Sequence, residues 1–298
     1  MRVERERVMF DSGRFPPWTK HEHLARYQFV AERAEGKVVV DCASGDGTCA
    51  RTVGERAREV LGFDLAEEAV ASAQRGTAPG NIRFAVASGT ALPVPDDVAD
   101  LYASLETIEH LSDPDAFLHE AARVLKPDGT LICSTPDRDV YSPGNSITSR
   151  PWNKFHVREY SQSEFVALLS RYFERIELFG QNPKTPSLVN LLMSLGRRAP
   201  GNLIVRLNQT LKLPRFLYDR LDHHPVVPAG PGVRYEFLIA VCSVIAEYPT
   251  RDDAGGVVVS RPTVRRAEPD AKARAYRPVS EPEGSLPSPR GLRPGRSL

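Results

Sequence analysis

The chain has 298 residues, enough for one well-packed domain with appendages, and its 39 basic and 38 acidic side chains nearly cancel. This balance gives no electrostatic reason to expect nucleic acid or an anionic membrane as a partner. The first ten residues are charged, and the longest apolar stretch, residues 237–246, is half of the ~20 residues that a membrane span needs. We therefore expect a cytoplasmic protein with no membrane span. Its four cysteines form no C-x-x-C pair, so we expect reduced thiols and no zinc site.

Predicted strands and helices alternate along the first half of the chain. Strands are predicted at residues 37–41, 59–63, 82–85, 98–104 and 130–134, and helices at residues 49–57, 66–75 and 114–125. Alternation of strands with helices of roughly ten residues is typical of βαβ units, so we predict a parallel sheet.

The next part of the chain begins with a long loop. Residues 135–153 are rich in Pro, Gly, Ser and Asn, which favour turns. A helix is then predicted at residues 162–172, because Ser161 followed by Glu164 is a capping-box pattern.

The last third of the chain is predicted to hold two strands, an insertion and a tail. The strands are residues 174–179 and 235–245. Residues 183–232, between them, have a mostly helical pattern, and we predict either a cap near the rim of the site or a packing element without substrate contact. Residues 250–298 are poor in large apolar side chains and cannot bury enough surface to offset the entropy of ordering, so we predict a disordered tail.

A glycine-containing turn follows the first strand. Gly45 and Gly47 let the backbone adopt positive φ and approach a ligand, and the helix that follows offers free N–H groups to an anionic group. Alone, this pattern also fits a tight turn with no ligand. Asp64, about twenty residues later at the end of the next strand, lies where nucleotide-binding folds hold ribose hydroxyls. A dinucleotide-binding oxidoreductase remains a rival, although Ala50 replaces the third glycine of that fingerprint.

Four stretches together resemble one enzyme family. They are D-x-x-x-G-x-G at residues 41–47, Leu-Pro at 92–93, Glu-Thr-Ile-Glu-His-Leu at 106–111 and Arg-Val-Leu-Lys-Pro-Asp-Gly at 123–129. With these stretches the chain, from about residue 18 to 181, resembles the class I S-adenosylmethionine-dependent methyltransferases. It is most similar to the small-molecule O-methyltransferase branch that includes ubiquinone-pathway enzymes.

This resemblance implies a Rossmann-like α/β fold with a seven-stranded, mostly parallel sheet and a helical insertion before the last strand. It divides the chain into an N-terminal helical lid at residues 1–36 and a methyltransferase domain at residues 37–249. The insertion at residues 183–232 belongs to that domain, and the tail follows it.

The resemblance also implies a set of residues that bind S-adenosylmethionine. They are Asp41, Ala43, Gly45, Gly47, Asp64, Leu65, Ser88 and Gly89. The first four are expected to line the methionine part. Asp64 is expected to hold the ribose, Leu65 to pack on the adenine, and Ser88 with Gly89 to contact the adenine edge. Ser88 departs from the family, which commonly has Asp there, so we expect a weaker adenine contact.

The Glu-x-x-Glu-His stretch admits three interpretations. Glu106 and Glu109 share a face if the segment is helical, and with His110 they can hold a divalent cation such as Mg²⁺. A similar stretch in the ubiquinone-pathway O-methyltransferases is linked to metal dependence. Alternatively, His110 acts as a general base, with Glu109 beside it, and removes the proton of the attacking oxygen. In the third interpretation, both residues only fix the loop or orient the substrate.

Two further segments are candidates for substrate contact. His23 and Tyr27 are four residues apart on a predicted helix and share a face. His156 and Arg158 follow the fifth strand. Packing or surface roles are the alternative for each of these side chains.

The predicted reaction is methyl transfer from S-adenosylmethionine to a hydroxyl oxygen of a small molecule, with a sugar or glycosylated metabolite as the favoured acceptor. A quinone or phenol O-methyltransferase and an N-methyltransferase are alternatives. A catalytically silent binding subunit with this fold is the non-enzymatic alternative. We expect no nucleic-acid partner, and a monomer or a homodimer.

Overall fold

The computed structural model describes residues 17–76, 80–184, 225–245, 248–251 and 257–260. Within them, one sheet contains β1 (Val38–Cys42), β2 (Glu59–Asp64), β3 (Ile82–Val86), β4 (Ala99–Leu105), β5 (Leu125–Pro136), β6 (Phe173–Lys184), β7 (Val227–Pro228) and β8 (Arg234–Ile245). The helices are α1 (Pro17–Ala31), α2 (Thr48–Gly54), α3 (Glu67–Arg75), α4 (Pro114–Val124), α5 (Arg138–Tyr141) and α6 (Gln162–Leu169).

The order of strands in the sheet is β3-β2-β1-β4-β5-β8-β6-β7. The first five strands in this order pair in parallel, as their alternation with helices predicts. Every residue of β1 is buried, which explains why its Val-Val-Val run lacks the alternation of a half-exposed strand. Because β1 lies between β2 and β4, the connections that leave it diverge there. A crevice forms at the carboxyl ends of β1 and β4.

The far side of the sheet is antiparallel. Strand β8 pairs antiparallel with both β5 and β6, and β7 pairs antiparallel with β6. All seven predicted strands are present, and the two-residue β7 is an addition.

The predicted insertion begins too early. Its first residues, Pro183 and Lys184, belong to β6 and pair with Tyr235 and Arg234 of β8. The Gln-Asn-Pro-Lys sequence there is typical of a turn, but pairing with a neighbouring strand overrides that local preference. Residues 185–224 lie outside the described residues, so the helical character of the insertion stays a prediction.

Helices cover both faces of the sheet. Helices α1, α2 and α3 pack on one face, around a buried cluster that includes Val30, Val53 and Val70. Helices α4 and α6 pack on the other face, where Phe117 and Phe165 are fully buried. No helix among the described residues is long and apolar enough to cross a membrane.

Two helix starts match their sequence signals. The carboxylate of Asp113 accepts from the backbone N–H of Ala116 at 2.9 Å and caps α4. At α6 both halves of the capping box between Ser161 and Glu164 are formed. These caps satisfy backbone donors that helix starts otherwise leave without partners.

The described part of the predicted tail contains strands. β9 (Tyr248–Arg251) and β10 (Val257–Ser260) pair antiparallel in a separate two-stranded sheet. The Val-Val-Val run of β10 favours an extended backbone, a local signal that the composition of the whole segment concealed. The rest of residues 250–298 lies outside the described residues, and its disorder stays a prediction.

Candidate active site

The turn after β1 forms one wall of the crevice. Three of its residues have positive φ: Ala43 (66°), Gly45 (57°) and Gly47 (72°). A Cβ placed on Gly47 would lie 2.5 Å from the ring of Phe84, whereas one on Gly45 would have no atom within 4 Å. Gly47 is therefore required by packing. Gly45 leaves open space on the ligand side of the turn.

Asp41 is fully buried at the end of β1. Its Oδ1 accepts a hydrogen bond from the Tyr27 hydroxyl at 3.0 Å, whereas its Oδ2 is buried and has no hydrogen-bond partner among the described residues. Burial raises the pKa of Asp41 to about 7; Tyr27 opposes this rise and nearby Asp64 adds to it. A buried carboxylate oxygen that lacks a partner fits an ammonium group, which would supply both a donor and a positive charge.

Asp64, at the end of β2, faces the same turn. Its Oδ2 accepts from the backbone N–H of Gly45 at 3.0 Å, and its Oδ1 accepts from that of Ala66 at 2.8 Å. These bonds hold the carboxylate at the mouth of the crevice. The next residue, Leu65, is 50% exposed and offers an apolar surface there.

Ser88 and Gly89 lie in a turn after β3. The hydroxyl oxygen of Ser88 is 2.8 Å from that of Thr90. A Cβ on Gly89 would lie 2.9 Å from the sulfur of Cys42, so this position tolerates no side chain without rearrangement. The turn thus packs closely against the end of β1, which places Ser88 next to the crevice.

The Glu106–Glu109 pair is not arranged as the helical interpretation predicts. Strand β4 is followed by Glu106 at φ 55°, and a single 3₁₀ turn, Ile108–His110, follows it. The side chain of Glu106 accepts from the Ser134 hydroxyl at 2.7 Å. The prediction that Glu106 and Glu109 share a helix face was wrong. Strand β4 extends to Leu105, so no helical turn can form before Ile108.

A different trio has its donor atoms close together. Ligand atoms of Glu109, His110 and His156 all lie within 4.8 Å of one another. The structure thus brings together two predicted residues and His156, which was predicted only as a substrate contact. Glu106 is not part of this group.

Glu109 anchors the loop that carries His156. Its backbone carbonyl accepts from the N–H groups of Val157 and Arg158 at 2.8 and 3.1 Å. Its buried carboxyl group accepts from the Thr135 hydroxyl at 3.1 Å. Burial, and then the charge of Glu106, raise the pKa of Glu109 well above its usual value.

The surroundings of His110 define its tautomer. Its Nδ1 is 3.1 Å from the backbone carbonyl oxygen of Phe155. Because a carbonyl can only accept, Nδ1 carries the proton, and in the neutral ring Nε2 carries the lone pair. Nε2 is also 3.9 Å from Oε1 of Glu109.

His156 supports His110 from the side. The two rings are arranged edge to face, with centroids 4.9 Å apart. Nδ1 of His156 is 2.7 Å from Oε1 of Glu159, and its Nε2 is 3.0 Å from the amide nitrogen of Asn153. Both ring nitrogens are thus engaged, so His156 is suited to position its neighbours.

The two predicted substrate residues on α1 lie elsewhere. Tyr27 contacts Asp41, and His23 is partly buried one turn earlier. Burial, followed by the charge of Arg26, lowers the pKa of His23 well below its usual value, which favours the neutral ring. Neither belongs to the group around His110.

Arg26 is a buried cation that the sequence motifs do not indicate. Its Nη1 donates to the side-chain oxygen of Gln181 at 2.5 Å, and its guanidinium lies 4.5 Å from the ring centroid of Phe237. Its Nε and Nη2 are buried without a hydrogen-bond partner among the described residues, and its charge opposes the rise in the Glu109 pKa. It lies with residues 22, 29 and 30 on one buried stripe of α1, which hydrophobic periodicity does not mark because residues 22 and 26 are both charged.

A cavity of about 690 Å³ opens beside this group. It is lined by Ile147, Thr148, Ser149, Arg150, Pro151, His156, Val157 and Arg158. The cavity therefore reaches the same His156 whose ring packs on His110.

Comparison with known proteins relates this chain to methyltransferases. Residues 40–133 match the family described as "Methyltransferase domain". A probable S-adenosylmethionine-dependent methyltransferase of Mycolicibacterium smegmatis is 36% identical over 147 residues, which cover 49% of this chain and 55% of that protein. A solved structure from Thermotoga maritima, titled as an S-adenosylmethionine-dependent methyltransferase and possible histamine N-methyltransferase, superposes with a TM-score of 0.53. That structure is 18% identical, and the alignment covers 76% of this chain and 92% of that one, so it bears on the fold alone.

This chain contains a class I S-adenosylmethionine-dependent methyltransferase domain. Another relative of the methyltransferase domain is a ubiquinone/menaquinone biosynthesis C-methyltransferase from Caulobacter vibrioides, 37% identical over 120 residues. That match covers 36% of this chain and 47% of the relative. The chain thus spans about half the length of the curated relatives that it matches. The predicted family is confirmed and implies S-adenosylmethionine as the cofactor, whereas nothing supports Mg²⁺; the dinucleotide interpretation of the turn is set aside.

Proposed function

We propose that this chain transfers a methyl group from S-adenosylmethionine to a hydroxyl oxygen of a small molecule, with His110 as the general base. The observation that carries the proposal is the 3.1 Å contact between Nδ1 of His110 and the Phe155 carbonyl, which leaves the lone pair on Nε2. Methyl transfer to an alkyl hydroxyl is accelerated most by such a base, because the pKa of an alkyl hydroxyl is far higher than that of a phenol. This favours a sugar or a glycosylated metabolite as the acceptor.

The residues of the crevice fit the cofactor. Oδ2 of Asp41 lacks a partner within the described part of the chain and would accept from its ammonium group. Asp64, at the mouth of the crevice, would receive its ribose hydroxyls. Leu65 would pack on the adenine. Ser88 would contact the adenine edge through an uncharged hydroxyl.

When bound, the cofactor supplies a methyl group on a positively charged sulfur. Nε2 of His110 accepts the proton of the acceptor hydroxyl as its oxygen attacks, which places a positive charge on the imidazole. Oε1 of Glu109, 3.9 Å away, is close enough for the carboxylate form of Glu109 to stabilise that charge. His156 and the N–H groups bound to the Glu109 carbonyl keep the base in place. Fixed geometry of this kind supplies much of the acceleration.

A Mg²⁺ ion does not fit the residues present. Magnesium takes oxygen ligands in octahedral geometry, whereas the clustered donors are two imidazoles and one carboxyl group. Both ring nitrogens of His156 are already hydrogen-bonded, and the Glu106 carboxylate is bonded to Ser134. The proposed reaction therefore uses no Mg²⁺, and turnover is expected to be unaffected by EDTA.

Similarity to the Caulobacter vibrioides C-methyltransferase favours a second candidate function, which is methyl transfer to an acidic carbon of a quinol-type acceptor. One experiment separates the candidates: incubation with isotope-labelled S-adenosylmethionine and a panel of glycosides, phenols, quinols and amines, followed by mass spectrometry. We expect one labelled methyl on a hydroxyl oxygen. A methyl found on carbon or nitrogen would overturn oxygen transfer. Cofactor binding by calorimetry without any methylated product would favour a binding subunit.

A further inference from the structure

The cavity beside His156 has no assigned ligand. Its volume, about 690 Å³, lies within the roughly 300–1,000 Å³ of small-molecule pockets. One segment, residues 147–158, supplies its lining, and His156 connects it to the proposed base. The side chains on this lining therefore decide which part of a substrate can lie next to the reacting hydroxyl.

The charged lining residues are both cations. Arg150 is exposed, Arg158 is half-buried, and the lining contains no acidic side chain. Neither arginine forms an ion pair with any residue in the described part of the chain. Arginines elsewhere on the molecule do: Arg123 pairs with Glu120, Arg171 with Asp115, and Arg234 with Asp139. The cavity thus concentrates positive charge without an internal counterion.

Its position relative to the base is fixed. The backbone N–H of Arg158 donates to the Glu109 carbonyl at 3.1 Å, one residue before His110. The edge-to-face contact of His156 with His110, with centroids 4.9 Å apart, ties the same wall to the base. A group held by Arg158 would therefore sit at a defined distance from Nε2 of His110.

We propose that this cavity binds an oxyanion on the methyl acceptor, a phosphate or a carboxylate, through Arg150 and Arg158. Guanidinium groups bind such oxyanions through paired, charge-assisted hydrogen bonds, and the hydroxyls of Thr148 and Ser149 add neutral donors. The acceptor is then an acidic small molecule rather than a neutral one. This inference rests on the proposed function in one respect, namely that the acceptor hydroxyl reacts at His110.

The test measures binding of simple probes to the full chain by calorimetry at physiological salt. Phenyl phosphate, benzoate and phenol are titrated into the wild type, Arg150→Gln, Arg158→Gln and the double variant. Arg171→Gln is the matched control, because Arg171 is an exposed arginine that pairs with Asp115 and does not line the cavity. We expect phenyl phosphate or benzoate to bind, phenol not to, and the double variant to bind at least about tenfold more weakly. Arg171→Gln should match the wild type.

Unchanged anion binding in the double variant, with thermal unfolding also unchanged, overturns the proposal. So does the absence of anion binding to the wild type at millimolar probe. The ratio of phenyl phosphate to benzoate affinity identifies the preferred oxyanion. S-adenosylmethionine is titrated separately into every variant. Loss of probe binding with intact cofactor binding supports the cavity, whereas a wild type that binds the probe but not the cofactor contradicts only the proposed function.

Discussion

The hydroxyl of Tyr27, on helix α1, donates a hydrogen bond of 3.0 Å to Oδ1 of the buried Asp41, on strand β1. This bond connects the N-terminal helix to the cofactor site through a titratable residue. Burial raises the pKa of Asp41 to about 7, and the bond from Tyr27 opposes that rise. The ionisation of Asp41 thus depends on whether α1 is in place.

We predict that Tyr27→Phe moves the pH dependence of cofactor binding upward. Without the hydroxyl donor the pKa of Asp41 rises further, so a higher pH is needed to form the carboxylate that receives the ammonium group. Calorimetric titration of S-adenosylmethionine between pH 5.5 and 8.5, a range set around that pKa of about 7, measures the midpoint. The control is Tyr172→Phe, which removes a tyrosine bonded to Asp115 outside the crevice. Identical midpoints for wild type and Tyr27→Phe would contradict the role of this bond.

Asp41 itself should make cofactor affinity depend on pH. Below pH 7 the carboxyl group of the free protein is mostly protonated, so affinity should rise as pH increases and level off above about 7, with a proton released on binding. Asp41→Asn should abolish this dependence and weaken binding on the order of 10- to 100-fold, since a charge-assisted bond is lost. Calorimetry in buffers of different ionisation enthalpy measures the proton release.

The same group should affect stability without the cofactor. Its pKa is higher in the folded than in the unfolded chain, so the folded state holds more protons between about pH 4 and 7. The free energy of unfolding should therefore fall as pH rises through that window. Above pH 7 Asp41→Asn should have a higher Tm than the wild type. A lower Tm for the variant at pH 8 would show that the buried carboxylate is not destabilising.

His110→Gln should lower kcat by about 10²–10⁴-fold, the usual contribution of a general base, and leave cofactor affinity unchanged. Glutamine keeps a donor for the Phe155 carbonyl but cannot accept the proton. His119→Gln is the matched control, because the ring of His119 packs on Tyr172, away from the crevice. Residual activity that rises with pH would agree with loss of the base. Unchanged kcat in His110→Gln would remove His110 from the mechanism.

Substitutions at Gly45 and Gly47 should separate cofactor binding from stability. Both have positive φ, so alanine costs about 1–2 kcal/mol of backbone strain at either position. At Gly47 the new Cβ also lies 2.5 Å from Phe84, so Gly47→Ala should lower Tm much more. Gly45→Ala should lower Tm only slightly but weaken cofactor binding at least about tenfold, because its methyl group enters the ligand space.

Gly36→Ala controls for the strain. Gly36 has φ 67° and open space around its Cβ, but it lies before β1, outside the crevice. Its alanine variant should show the Tm loss of Gly45→Ala with normal cofactor affinity, measured by thermal unfolding and calorimetry. Equal cofactor affinity in Gly45→Ala and Gly36→Ala would contradict the proposed position of the ligand.

Local patterns were sufficient to predict the parallel half of the sheet and the turn at its switch point. Each local pattern strongly favours one conformation, and the tertiary structure retains it. Examples are the Val-Val-Val run of β1, the capping residue Asp113 and the turn at Gly45. The end of β6 could not be predicted in this way, because Pro183 and Lys184 become a strand only through pairing with β8.

The site was predicted in part for a similar reason. Asp41 and His110 belong to contiguous motifs, so the sequence indicates them directly. His156 contacts His110 from 46 positions further along the chain, and no local pattern predicts that contact. Arg26 could not be predicted, because its burial contradicts the usual preference of arginine for solvent. The prediction of a helix at Glu106 was wrong because this residue has positive φ, which is rare for residues other than glycine.

The position of β8 between β5 and β6 has a consequence for the order of assembly during synthesis. Strand β6 leaves the ribosome before β8, yet it bonds to β8 and not to β5. Until Arg234–Ile245 emerges, one edge of β5 stays open and β6 has no place in the sheet. A nascent chain that stops before Arg234 should therefore expose two unpaired strand edges, the condition that favours capture by a chaperone or pairing with another chain.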